Sequence, residues 1–127
     1  MDLQATFATD KRKEQDGVWK NIGDARVKVA RANNPKYRAA LAKYVKQFVP
    51  AGIQPKPDDP NIEKATVYAM AEAILLDWEN IAIKGQILDV TFENAVRILT
   101  DYPDFREVVS QIAIDVDNFR PEEVAEK

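Results

Sequence analysis

At 127 residues, 46% of them hydrophobic, the chain is long enough for one domain with a core of its own. It contains no cysteine and no histidine, which removes disulfides, thiolate ligands, the commonest general base and the commonest transition-metal ligand. The net charge of −3 is unevenly spread: residues 1–50 carry 11 Lys or Arg against 5 Asp or Glu, a balance of +6, and residues 51–127 carry 7 against 16, a balance of −9.

In chain order, residues 1–16 are polar, with Leu3 and Phe7 as the large apolar anchors, and predict a flexible or weakly helical start. Residues 17–32 alternate: Val18, Lys20 and Ile22 interleave with Trp19 and Asn21, and Val27 and Val29 with Arg26, Lys28 and Ala30. That is the period of a half-buried strand, and the Gly23-Asp24 pair between the two runs predicts a hairpin turn. Asn33-Asn34-Pro35 supplies an N-cap and a first-turn proline for a basic helix over 33–49. Tyr37, Leu41, Tyr44, Val45 and Phe48 form its apolar stripe, and Lys36, Arg38, Lys43 and Lys46 its wet face.

Residues 50–60 hold four of the seven prolines and no periodicity, which predicts a semi-stiff linker between the basic part and an acidic helical part over 61–119. Its first helix is expected from Asp59 or Asn61 to about Glu79, apolar on most of its circumference and hence central to the molecule. Residues 80–90 read as a connection turning at Gly85, with Ile81, Ile83, Ile87 and Leu88 able to pair briefly as strands. Thr91 caps a short helix from Phe92 to about Thr100, and Asp101-Tyr102-Pro103-Asp104 breaks the chain and restarts it. Phe105, Val108, Val109, Ile112, Val116 and Phe119 then follow at helical spacing. Arg120 opens a charged tail over 120–127. The expected fold is mainly α: one domain, residues 1–127, built as a small bundle of about four helices with a short N-terminal β-hairpin.

Residues suited to catalysis or metal binding are few. Asp58-Asp59 and Glu122-Glu123 fall in the linker and the tail, where they read as solvated charges with no pocket to position a substrate. Asp115 and Asp117 lack the glycine that a calcium loop needs, and the four glycines form no phosphate loop. The expectation is a protein that is not an enzyme and has no catalytic residue, cofactor or metal. No run approaches the roughly 18 to 20 apolar residues of a membrane span, and the start lacks the order of a secretory signal. Neither membrane nor nucleic acid is expected as a partner. The aromatic residues remain as core or as anchors for another protein. Trp19, Tyr37, Trp78, Ile81 and Phe105 are the candidate partner-binding residues.

Three segments together resemble the tail assembly chaperones of bacteriophages with long non-contractile tails: TDKRKEQDGVWKNIGDARVKVARANNPKYRAALAKYV from Thr9, AEAILLDWENI from Ala71 and TFENAVRILTDYPDFREVV from Thr91, closing with Asp117-Asn118-Phe119. The specificity lies in the ensemble of an acidic GxW opening, an R-x-N-N-P-K-Y helix start, an L-x-D-W-E-x-I segment and an F-E-N-A to D-Y-P-D-F pair. The resemblance implies a non-catalytic assembly factor in the host cell cytoplasm, absent from the mature virion. It would bind the tape measure protein, keep that long helical ruler soluble and promote assembly of the tail tube around it. Tail tube protein would be engaged through a longer frameshifted form, and self-association is expected. The alternatives are a small acidic adaptor or inhibitor, whose −9 half would mimic nucleic acid, and a minor structural connector of the virion.

Overall fold

The alternation after Gly17 becomes an antiparallel hairpin of β1 (Val18–Ile22) and β2 (Ala25–Val29), turned at Gly23-Asp24 with Gly23 at φ 58°. Val27 and Val29 are fully buried, whereas Arg26 and Lys28 lie on the opposite face. β2 is the middle strand of a three-stranded antiparallel sheet, order β1–β2–β3, because Leu75–Glu79 forms β3 along its second edge. Val27 stands opposite Trp78, Lys28 opposite Asp77 and Arg26 opposite Glu79, so β3 extends the division into an apolar inner and a charged outer face. The register shifts between Lys28 and Val29, leaving Leu76 as the extra residue of a bulge. The structure is a computed structural model and describes residues 1–121; the expected tail lies outside the described residues from Glu122 onward.

This architecture corrects the expected mainly α bundle: the protein is mixed α/β, with a three-stranded sheet as one of its layers. The difference lies at the helix expected to reach Glu79. That helix, α4 (Pro60–Ala73), stops six residues earlier, and Leu75–Glu79 becomes β3. Its first turn follows the sequence, since Asp59 caps it by accepting from the Asn61 amide at 2.8 Å and Pro60 occupies the first turn. Its end is set from outside. Asn34 Nδ2 donates to the Ala73 carbonyl at 3.2 Å, and the Ala30 backbone amide donates to the Ile74 carbonyl at 2.9 Å. Two carbonyls that would otherwise need further helix are thereby satisfied by the segment following β2. An unbroken apolar run such as Ile74-Leu75-Leu76 fits a buried strand as well as a buried helix.

The remaining larger helices are α3 (Pro35–Phe48), α5 (Phe92–Asp101) and α6 (Pro103–Ile114), the last followed by a short 3-10 turn at Val116–Phe119. Of these, α3 and α5 pack against α4, and α6 packs against α5 and β2. Asn34 is a side-chain-bonded cap, its Oδ1 accepting from the Tyr37 amide at 2.8 Å, as is Thr91, whose Oγ1 accepts from the Asn94 amide at 3.0 Å. The main core joins Val27, Val29, Leu75 and Trp78 of the sheet to Met70 of α4, Ile98 and Leu99 of α5, and Val109 of α6. A smaller core between α3 and α4 contains Ala40, Tyr44, Ala65 and Ala69. The stripe expected to continue α6 as far as Phe119 is interrupted at Asp115, which is extended and caps the 3-10 turn. Phe119 still reaches full burial through that turn. The C-terminal carbonyls of α6 are again satisfied from elsewhere: the Ala32 amide donates to Ala113 at 2.9 Å and the Asn118 side chain to Ile112 at 2.9 Å.

Two short helices, α1 (Leu3–Phe7) and α2 (Lys11–Asp16), occupy the start of the chain, and neither contains a buried residue. They are held by polar contacts. The Asp10 amide donates to the Phe119 carbonyl at 2.7 Å, Arg120 Nη1 to the Thr6 carbonyl at 2.7 Å, and Lys13 Nζ to the Arg120 carbonyl at 3.0 Å. Glu14 accepts from Arg31 at 2.6 Å and from Thr9 at 3.0 Å. Burial, the largest single influence, pushes the Glu14 carboxyl up, but the hydrogen bonds from Arg31, Thr9 and Lys11 outweigh it and hold it below the ordinary range. Among the described residues no helix is long and apolar enough to cross a membrane.

Candidate partner-binding groove

The connection after β3 is short and tightly wound. Asn80, at φ 63°, turns the chain out of the sheet, and its side chain donates to the Asp24 carbonyl at 3.0 Å. A second hairpin follows, β4 (Ala82–Ile83) and β5 (Gln86–Ile87), whose turn residues Lys84 and Gly85 both have positive φ, 50° and 82°. That is the geometry of a two-residue hairpin turn, and it explains glycine at the second position. The base of the hairpin is fastened to the core: the Leu88 amide donates to the Ile81 carbonyl at 2.9 Å, and Trp78 Nε1 donates to the Leu88 carbonyl at 3.1 Å.

Opposite this hairpin, α5 ends at Asp101 and α6 begins at Pro103, so Tyr102 terminates one helix and opens the next without a capping side chain. Between hairpin and corner lies an open hollow of about 690 Å³. Ile81, Ile83 and Phe105 line it, buried Ile98 closes it from beneath, and Tyr102, 44% exposed, stands at its rim. Asp101, Asp104 and Lys84 complete the wall. A shallower hollow of about 370 Å³ adjoins it, lined by Ile22, Asp24, Ala25 and Asn80, and shares Ile81, Ala82 and Phe105 with the first. Asp24, Asp101 and Asp104 have no ion-pair partner among the described residues, so this apolar groove carries three unneutralised carboxylates and one lysine.

Of the residues singled out in the sequence, Ile81 and Phe105 meet here, 24 positions apart in the chain. The other three do not line the groove. Trp78 is 4% exposed and belongs to the core beneath it. Tyr37 lies half-buried on α3, touching both apolar clusters, and its burial raises the phenol above its ordinary range. Trp19 sits on the outer face of the sheet, half-buried under the Arg26 guanidinium, which lies 4.5 Å from the ring centroid and also pairs with Glu79 at 3.1 Å. Sequence reasoning missed Tyr102, taken only as part of a break.

It also missed an aromatic cluster formed by Tyr44 and Phe48 of α3, Tyr68 of α4 and Phe92 of α5, with ring centroids 4.9 to 6.4 Å apart. The spacing of Tyr44 and Phe48 on one helix was visible, but Tyr68 and Phe92 join them only through packing. Lys64 lies 4.4 Å from the Phe48 ring, and Lys43 4.6 Å from the Tyr44 ring. Glu72 accepts from both Lys43 Nζ at 2.8 Å and Tyr44 Oη at 2.7 Å, and these two bonds hold its carboxyl below the ordinary range. The arrangement staples α3 to α4. No group of three or more acidic side chains is placed to hold a metal ion among the described residues.

Fold and groove together define a small mixed α/β protein with an apolar, acid-rimmed surface concavity. The chain belongs to the YdaY prophage protein family, whose model matches residues 32–127, a span that contains both helices and the hairpin of the main hollow. No curated protein and no solved structure matches the chain.

Proposed function

We propose that this prophage protein is a non-catalytic tail assembly chaperone that captures helical segments of a tape measure protein, keeps it soluble and promotes assembly of the tail tube around it. Its place of action is the host cell cytoplasm, and it leaves before the virion is complete. The observation that carries the reading is the groove: Ile81, Ile83 and Phe105, partly buried against the main core, and the exposed Tyr102 line an open apolar hollow. An amphipathic helix laid into such a groove buries its own apolar face, the interaction by which a long, aggregation-prone helical protein is kept apart from its copies. The phage family supports the setting, and the three sequence segments resembling tail assembly chaperones support the task.

The test is co-expression with the candidate tape measure protein, followed by size-exclusion chromatography with light scattering at low and at high salt. Solubilisation and co-elution at both salts are expected, because burial of apolar surface is not screened. Co-elution at low salt alone would replace this reading with that of an acidic adaptor, whose long-range attraction is screened. Recovery of the protein in purified particles would replace it with that of a virion connector. Tyr102→Ser, at the exposed rim, weakens capture at an unchanged melting temperature.

A further inference from the structure

Resting on the chaperone reading, we infer that the groove selects a helix whose apolar stripe is flanked by lysine or arginine, with Asp101 and Asp104 as the residues that read the flank. Both carboxylates stand at the edge of an apolar hollow and neither has an ion-pair partner among the described residues. Five acids elsewhere are paired within the fold, Glu14 with Arg31, Glu63 with Arg106, Glu72 with Lys43, Glu79 with Arg26 and Asp117 with Arg120, while exposed acids such as Asp58, Asp89 and Glu93 line neither hollow. In the groove, by contrast, unpaired carboxylates border apolar surface, and Lys84 is the single cation among the described residues that line it.

The neighbouring elements decide against an added strand. β4 and β5 are each two residues long, too short to template a ladder. Two adjoining hollows that share Ile81 and Phe105 suit two apolar side chains from successive turns of one helix. Cations flanking that stripe would lie over the exposed carboxylates, where opposite charges fix register and exclude acidic competitors more than they add affinity.

The experiment uses the full chain and three synthetic helical peptides with one apolar stripe and flanks of lysine, glutamine or glutamate, measured by fluorescence anisotropy. At low salt the order of affinity is lysine, then glutamine, then glutamate, with steps of roughly two- to tenfold, as expected for exposed ion pairs. At about 0.5 M salt the steps collapse while binding persists. The double variant Asp101→Asn, Asp104→Asn binds the glutamine peptide as the parent protein does and loses the preference for lysine. Equal affinities at low salt, or a lysine preference that survives the double substitution, overturn the charge inference and leave helix capture standing. Failure of all three peptides to bind overturns both.

Discussion

Asn34 is the buried polar residue on which two helix ends converge, and its replacement has a calculable cost. The side chain is 5% exposed; Oδ1 accepts from the Tyr37 amide at 2.8 Å, and Nδ2 donates to the Arg31 carbonyl at 2.8 Å and the Ala73 carbonyl at 3.2 Å. Asn34→Ala removes the cap of α3, worth about 1 kcal/mol, and leaves buried carbonyls unpaired at about 1 to 3 kcal/mol. The sum, about 2 to 4 kcal/mol, is a large share of the 5 to 15 kcal/mol typical of a domain. For a chain of this size it lowers Tm by roughly 6 to 20 °C. Asn34→Asp separates the two roles. It keeps the cap acceptor at a helix start that welcomes negative charge, but it loses both donors and sets a carboxylate against two carbonyl oxygens. Thermal melts followed by circular dichroism should place Asn34→Asp with Asn34→Ala. An Asn34→Asp protein as stable as the parent would refute the reasoning, since capping alone would then account for the residue and the tie to α4 would contribute nothing.

Glycine substitutions should separate by their surroundings. A Cβ at Gly17, where φ is +85°, meets the Val29 carbonyl carbon at 3.2 Å and Leu76 Cδ1 at 3.1 Å, whereas one at Gly85, φ +82°, meets nothing within 4 Å. Gly17→Ala is expected to cost about 2 to 4 kcal/mol and Gly85→Ala about 1 kcal/mol, a ranking read from urea midpoints. Trp78→Phe leaves the Leu88 carbonyl unpaired and a gap in the core, costing about 2 to 4 kcal/mol by the same measurement. Acidification probes Glu14 and Glu72. Both carboxyls are held below their unfolded value, so their stabilisation is complete above about pH 4.3 and is lost as pH falls through the folded values. Melting temperature should decline below that point, and Glu72→Gln should flatten part of the decline. The opposite limb belongs to Tyr44 and Tyr37, both raised by burial and Tyr44 also by its bond to Glu72: stability should also fall as pH rises beyond about 10.

Local signals were legible wherever one short stretch carried its own reason. Gly23-Asp24 between alternating runs marks the first hairpin, Asn34-Pro35 and Asp59-Pro60 open α3 and α4, Thr91 opens α5, and Lys84-Gly85 turns the second hairpin. Each depends on caps and dihedral preferences that act within a few residues. Half of the groove was legible in the same way, since Ile81 and Phe105 stand out as apolar residues beside breaks in the pattern.

Where α4 should end was not legible, because the residues that end it are Asn34 and Ala30, about 40 positions earlier in the chain. An apolar run fits a helix or a buried strand equally, and the unpaired edge of β2 decides between them. The charge split followed the same rule. Sequence halves of +6 and −9 suggested an electrically two-ended molecule, yet Arg26 and Lys43 of the basic half pair with Glu79 and Glu72 of the acidic half. The sequence by itself determined the composition, the caps, the turns and the apolar stripes, because these act over one or two helical turns. Tertiary structure decided which run became the third strand, which acids stayed unneutralised and where Tyr102 stands, because each depends on hydrogen bonds or contacts between segments distant in the chain.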